Sequence, residues 1–306
     1  MAAISGLIRV MEKAARKAGG RLRRDFGEVE HLQVSRKGPA DFVSKADQHA
    51  ERTLWDELRA ARPGWGFLME EGGEIAGEEG KPRFIIDPLD GTSNFLHGIP
   101  HFAISIAVQE SKLDGSGWGD IVAGLVYQPV TDESFWAEKT RGAWLHDRRL
   151  RVSARRHLDE SLIATGIPFA GRGDSAEWTR IYGALAPQVA GIRRFGAASL
   201  DLAWVAAGRY EGFWETGLAP WDTAAGILLV EEAGGWSHDT LSEDLDLVKS
   251  MGLNTYRFSL EWSRIEPTEG VWDAEAIAHY EAIIDYCREL ELEPVVTYNH
   301  FTVPHW

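Results

Sequence analysis

The segment FIIDPLDGTSNF, residues 84–95, joins an apolar run, two aspartates and a Gly-Thr-Ser-Asn sequence without interruption. Phe84-Ile85-Ile86 reads as a short buried strand. Pro88 disfavours helix at Asp87, so Asp87 and Asp90 are predicted to leave the strand on a turn rather than on a helix face. Gly91 admits close backbone approach, and Thr92, Ser93 and Asn94 are suited to capping a helix start, where backbone N–H groups form a natural anion site. A DPxDG string alone is a common surface turn. The strand before it, the polar run after it and two distant acidic positions favour a functional reading.

Those positions are Glu70, with Glu71 beside it, and Asp222, which follows Trp221 at the start of an apolar helix pattern. Oxygen-only ligands delivered by separate loops suit Mg2+, which keeps several waters and recruits substrate phosphate oxygens. Four converging carboxylates repel an anionic substrate until a divalent cation inverts the local sign. The same issue arises for the whole chain, whose 306 residues carry a net charge of −15. That balance speaks against nucleic acid or an anionic membrane as partner and leaves a small anionic ester dependent on metal ions. The one cysteine, Cys287, allows no intrachain disulfide and fits a reducing, cytoplasmic setting. No run reaches the roughly 18 apolar residues of a membrane span.

Outward from this segment, residues 1–30 and 44–60 read as amphipathic helices, the second capped by Ser44 with Asp47 at its third position. An acidic glycine-rich stretch, Glu70 to Gly80, reads as a solvated loop. A strand meander covers 103–109, 121–127, 134–138 and 143–146. From Ser161 strands and helices alternate: strand 162–165, helix 176–190, strand 192–195, helix 199–207, strand 210–215 and helix 223–233. The fold class is α/β with an α+β first layer, divided as 1–150, 151–235 and 236–306.

At this point the chain resembles the inositol monophosphatase family, in its bacterial branch. The matching segments are Met69-Glu70-Glu71, IDPLDGTSNF (86–95), FGAASLDL (195–202), Phe213 to Glu215 and PWDTAAG (220–226), and the likeness runs to residue 235. The resemblance implies a Mg2+-dependent phosphomonoesterase with two or three ions. It implies Glu70, Asp87 and the Leu89 carbonyl as ligands of one ion, and Asp87, Asp90 and Asp222 as ligands of another. Glu70 and Thr92 would orient the attacking water, with Asp47 behind Thr92. Gly91 and Thr92 would hold the phosphate through their backbone, and Glu215, Ala197 and Ala198 would meet the alcohol. The implied reaction is in-line attack by a metal-activated water on a small alcohol phosphate such as inositol 1-phosphate. Inhibition by Li+ and a homodimer are further expectations. A nucleotide 3′-phosphate, fructose bisphosphate or histidinol phosphate is the alternative substrate, and a folded but inactive scaffold the alternative role.

After Gly235 the pattern changes. EDLDLVKSMGLNTYRFSLEWSR (243–264) and EPVVTYNHFTVPHW (293–306) resemble a family 1 glycoside hydrolase of the β-glucosidase type over residues 239–306. The segment reads as helix 242–250, strand 255–260, helix 274–290 and strand 294–298, about two of the eight strands of a TIM barrel. A retaining glycosidase needs two carboxylates about 5–5.5 Å apart, and the motifs that carry them are missing, so glycosidase activity is rejected. The chain is thus expected to be a chimera, with this fragment completing the second half of the phosphatase.

Other features carry less. His97 and His101 have Gly98 and Pro100 between them, which argues against a helical zinc pair. Trp55, Trp136, Trp144 and Trp204 fall in regular elements and are assigned to the core. Arg148, Arg149, Arg151, Arg155 and Arg156 form a basic run read as a solvated edge, with an anion patch as the minority reading.

Overall fold

The computed structural model describes residues 4–26, 34–38, 41–112, 117–168, 175–237, 255–259, 272, 274–290 and 293–297. It divides into two compact units, Met1–Trp236 and Ser237–Trp306.

In the first unit, α1 (Gly6–Phe26) and α2 (Lys45–Ala61) flank a two-stranded antiparallel ribbon, β1 (Val34–Gly38) and β2 (Asp41–Ser44). An eight-stranded mixed sheet follows. Its strands are β3 (Gly66–Met69), β4 (Gly73–Ile75), β5 (Arg83–Asp90), β6 (Ala103–Ser111), β7 (Trp118–Gln128), β8 (Glu133–Glu138), β9 (Gly142–Leu145) and β10 (Arg148–Arg149). Their spatial order is β10-β9-β8-β7-β6-β5-β3-β4, and β3 and β5 run parallel while the other neighbours are antiparallel. A short helix, α3 (Thr92–Leu96), leaves the end of β5. The alternating part has β11 (Leu162–Thr165), α4 (Ser175–Leu185), β12 (Gly191–Arg193), α5 (Ala198–Ala206), β13 (Gly212–Trp214) and α6 (Pro220–Glu232), with a parallel three-stranded sheet ordered β12-β11-β13.

Strand alternation builds three layers. Phe84, Ile86, Ile106 and Leu125 face one side and pack with Ile8, Met11, Leu54 and Leu58 of α1 and α2. Ile85, Ala107, Val126 and Phe135 face the other and pack with Leu200, Ala203, Ala225 and Leu229 of α5 and α6. Each fully buried Ile, Leu, Val, Met or Phe among them contributes about 1.5–3 kcal/mol, and each alanine less. Small residues set how closely α6 approaches the sheet: a Cβ on Gly124 of β7 would stand 2.9 Å from the Ala225 carbonyl oxygen. A Cβ on Gly226 would likewise strike Leu202 of α5 at 2.5 Å. The two helices therefore lie tightly against each other and against β7.

The predicted elements recur with shifted ends. The helix expected over 176–190 stops at Leu185. The glycine-rich stretch after Glu71 is not wholly loop, since Gly73–Ile75 pairs antiparallel with Phe67–Met69. The tryptophans expected in the core divide, with Trp136 buried and Trp55, Trp144 and Trp204 half-buried.

In the second unit, β14 (Thr255–Ser259) and β15 (Glu293–Thr297) pair in parallel, and α7 (Ala274–Glu289) connects them. Parallel neighbours require such a crossover. Among the described side chains of α7, Tyr280, Ile283 and Cys287 are buried and recur at helical spacing along it. The helix expected at 242–250 lies outside the described residues.

Candidate active site

The site begins with an irregularity in β5. Asp87 stands opposite Ser105 and Asp90 opposite Ala103, so three steps along β5 match two along β6. The extra residue makes a bulge. Pro88 lies inside it and has no N–H to give to the ladder. The two aspartates therefore belong to the bulged end of the strand, not to a turn beyond it as the sequence predicted. Asp87 Oδ1 accepts the N–H of Leu89 at 2.8 Å, an Asx-type closure that holds the bulge from within.

Gly91 ends the bulge at φ 89° and is the N-cap of α3, with no side-chain cap. This corrects the expectation that Thr92, Ser93 or Asn94 caps the helix. Glycine is required twice here, by the positive φ and by space, since a Cβ would come within 3.0 Å of the His101 carbonyl oxygen. Thr92 starts the helix, and its Oγ1 lies 3.1 Å from Asp47 Oδ1 and 3.0 Å from the Leu89 carbonyl oxygen. Asp47 sits in the first turn of α2 and is fully buried. The Asn94 amide donates instead to the carbonyls of His101 (2.8 Å) and Phe195 (2.7 Å). It thereby fastens the end of β5 to the loop that precedes α5.

The other acids arrive from both sides. Glu70 follows β3, and its N–H donates to the Ile86 carbonyl at 3.2 Å. The buried Glu51 of α2 fixes the next residue by accepting the Glu71 N–H at 2.9 Å. Asp222 lies in the first turn of α6 and accepts the Ala219 N–H at 2.7 Å, one half of a capping box. Ser105, the ladder partner of Asp87, donates to the Trp221 carbonyl at 3.1 Å and so ties the start of α6 to the bulge. Asp90 accepts both the N–H and the hydroxyl of Ser199 in the first turn of α5. Ala197 and Ala198, at the start of α5, are buried. Glu215 follows β13 and lies over Gly166, where a Cβ would overlap its carboxyl at 1.8 Å.

The electrostatics show that these groups converge. Burial raises the Asp87 carboxyl well above the usual range, and Glu70, Asp90 and Asp222 add repulsion. Asp90 is pushed up to about 6 by burial and by Asp222, against the hydrogen bonds from Ser199. Glu215 rises to about 7 through burial, Asp90 and Asp222, with Arg194 opposing. Among the described residues, no basic side chain is among the leading influences on Asp87 or Asp90. Among the described residues no three His, Cys, Asp and Glu side chains close on one point as they would around an ion. Each aspartate instead engages an oxygen with a nearby N–H. A cluster of buried, mutually repelling carboxylates fits a hard divalent ion such as Mg2+.

A family model described as "Inositol monophosphatase family" matches residues 4–284. The chain belongs to the inositol monophosphatase family. It is therefore a phosphatase and not a glycosidase, and its family is generally metal-dependent, typically on Mg2+. The match extends past residue 235, where the sequence reading had ended the likeness. An inositol-1-monophosphatase of Rhizobium meliloti is 57% identical over 235 residues, which is 77% of this chain and 86% of that protein. The Nus factor SuhB of Escherichia coli K12 is 42% identical over 75% of this chain and 83% of its own length. Among solved structures, the extragenic suppressor protein suhB of Bartonella henselae is 55% identical, covers 76% of this chain and 86% of its own, and gives a TM-score of 0.71. The Thermotoga maritima IMPase is 33% identical over 75% and 84% with a TM-score of 0.66.

The residues singled out in the sequence thus lie in one region of the first unit. Sequence reasoning missed Ser199, Glu51 and Asp201. Ser199 stood inside the quoted FGAASLDL segment, but nothing in its type announced a partner 109 positions earlier. Asp201 is buried, with neither carboxylate oxygen hydrogen-bonded. Burial, Asp90 and Glu215 push it up to about 8. An acid on the buried face of a helix was its only signal. The two histidines separate: His97 is exposed and bonds the Ser93 carbonyl, while His101 is buried against Phe195 and Trp204.

Proposed function

We propose that the chain hydrolyses a small polyol phosphomonoester, such as inositol 1-phosphate, at the cluster of Glu70, Asp87, Asp90 and Asp222. The observation that carries this is the buried Asp87, whose negative charge Glu70, Asp90 and Asp222 all oppose. Glu70, Asp87 and the Leu89 carbonyl would hold one Mg2+, and Asp87, Asp90 and Asp222 another, in a set of two or three. Bound there, Mg2+ supplies Lewis-acid stabilisation of developing charge and eases deprotonation of water. Thr92 gives its own proton to Asp47 or to the Leu89 carbonyl, so Oγ1 offers a lone pair to the attacking water. Glu70 orients the same water. Backbone N–H groups of Gly91 and Thr92 hold the phosphate, and Glu215 with Ala197 and Ala198 receives the alcohol. The 57% identity to an inositol-1-monophosphatase supports this substrate over a role like that in the name of the 42% relative, Nus factor SuhB. Li+ inhibition, a cytoplasmic location and a homodimer belong to the proposal on family resemblance.

Mg2+-dependent release of phosphate from inositol 1-phosphate tests the reading. The panel includes a nucleotide 3′-phosphate, fructose bisphosphate and histidinol phosphate. Faster turnover of one of these moves the substrate; no turnover of any by folded protein with Mg2+ refutes the reading in favour of an inactive scaffold.

The same proposal divides the phosphatase at residue 150 and assigns 236–306 to a TIM-barrel fragment that completes its second half, a chimera. The parallel β14–α7–β15 crossover and the 235-residue match to a relative support it, and the family match through residue 284 weighs against it. Amplification of the gene across the codons for 230–245 from source DNA tests the junction: two separate loci would mark a joined sequence. Hydrogen exchange at 255–259 and 293–297 as fast as in free peptide would refute docking.

A further inference from the structure

The basic run left aside by the active site forms a groove of its own. Arg151, Ser153, Arg155, Arg156, His157 and Glu160 line an open cavity of about 720 Å3, closed on one side by Ala207-Gly208 after α5. We propose that this groove is a second anion site, for a small molecule bearing two or more phosphate groups.

The strip is held in place from below. The Val152 N–H donates to the Ala233 carbonyl at 3.2 Å, at the end of α6. Gly208, at φ 68°, crosses so close that a Cβ would stand 3.1 Å from the Arg151 carbonyl oxygen. The ends of two core helices therefore fix the backbone from which the arginines project. Their guanidinium groups are differently engaged. Arg155 pairs with Glu211 at 2.7 Å, and among the described residues Arg151 bonds only the carbonyl of Leu150. Arg156 is exposed and makes no bond with any described residue. Two guanidinium forks thus retain most of their donors for a ligand. In a chain of net charge −15, an arginine strip with one lining carboxylate is a local reversal of sign.

The lining also selects the class of ligand. A volume of this order suits a small molecule, within the range of roughly 300–1,000 Å3. No Phe, Tyr or Trp lines the groove, whose one aromatic ring is the small imidazole of His157, so a nucleobase finds no broad stacking surface. No large apolar side chain lines it either, which disfavours a protein partner anchored by a buried hot spot. What remains is charge and planar donors, which match phosphate oxygens.

Calorimetric titration of the full chain with inorganic tripolyphosphate, at low salt and with Mg2+ chelated, tests the site. One binding event is expected, weakened roughly tenfold by Arg156→Glu and only slightly by Arg156→Lys, and declining as NaCl rises. Asp90→Asn leaves it unchanged, and Arg156→Glu retains phosphatase activity as the sign of an intact fold. No binding, binding indifferent to Arg156→Glu, or binding abolished by Asp90→Asn each overturns the proposal; the last would place the ligand at the carboxylate cluster.

Discussion

Carboxylates on the surface and in the buried cluster follow opposite rules. Glu57 on α2 is met by Lys17 and Lys13 at 2.6 and 2.9 Å, and their hydrogen bonds push it down to about 2. Asp132 is held low by Tyr127 and Arg16, and Glu211 by the Ser153 hydroxyl, the Leu162 N–H and Arg155. In the buried cluster, Asp87, Asp90 and Glu215 are raised, because burial and neighbouring carboxylates are what they chiefly meet. The outer acids are neutralised by the chain itself. The inner ones repel one another in a way that a divalent cation would relieve, a repulsion that under the proposed function would serve binding rather than stability.

The sharpest way to break this contrast is to remove one inner charge. Asp90→Asn lowers Mg2+-dependent turnover by roughly a thousandfold, about 4 kcal/mol, if Asp90 ligates as proposed. A steady-state assay that finds near-wild-type activity contradicts that role. Ser199→Ala acts one step back, by releasing Asp90. It lowers Mg2+ affinity by about 10–100-fold, read from the Mg2+ concentration for half-maximal rate. Unaltered Mg2+ dependence would make the Ser199 contact structural only.

Acidity tests the same contrast. Asp90, Glu215 and Asp201 stand at about 6, 7 and 8, above their unfolded values. The folded state then binds more protons than the unfolded one, and stability falls as pH rises through these values. His101, held at about 4 by burial, works the other way but only below its unfolded value of about 6.5. Between about pH 6.5 and 8, the Mg2+-free protein should therefore lose several degrees of Tm. A flat or rising Tm across that window by scanning calorimetry contradicts the ordering. At the small end, Glu57→Gln leaves both Tm and turnover within experimental error, since exposed pairs contribute little.

Much of this was legible in the sequence. The strand Phe84–Ile86, the amphipathic α1 and α2, and the apolar α6 all announced themselves by period. The site acids stood out because Asp, Glu and Gly cluster there against apolar surroundings. The bulge was not legible, because it arises from pairing of β5 with β6, and Pro88 alone does not distinguish a bulge from a turn. Asn94 and Ser199 were misread or missed for a related reason: their partners lie at Phe195 and Asp90, more than 100 positions away in sequence. Nor did local composition show that Gly124 lets α6 approach near enough to bring Asp222 beside the bulge.

The central claim is that the inner carboxylates form a divalent cation site whose repulsion destabilises the free protein. Thermal unfolding of wild type and Asp87→Asn at pH 8, with EDTA and then with Mg2+, tests it most directly. Asn retains an oxygen for the Leu89 N–H while removing the charge. A higher Tm is predicted for Asp87→Asn than for wild type in EDTA, together with a rise on adding Mg2+ that is large in wild type and nearly lost in the variant. A lower Tm for the variant in EDTA, with an equal rise in both proteins on adding Mg2+, would contradict it.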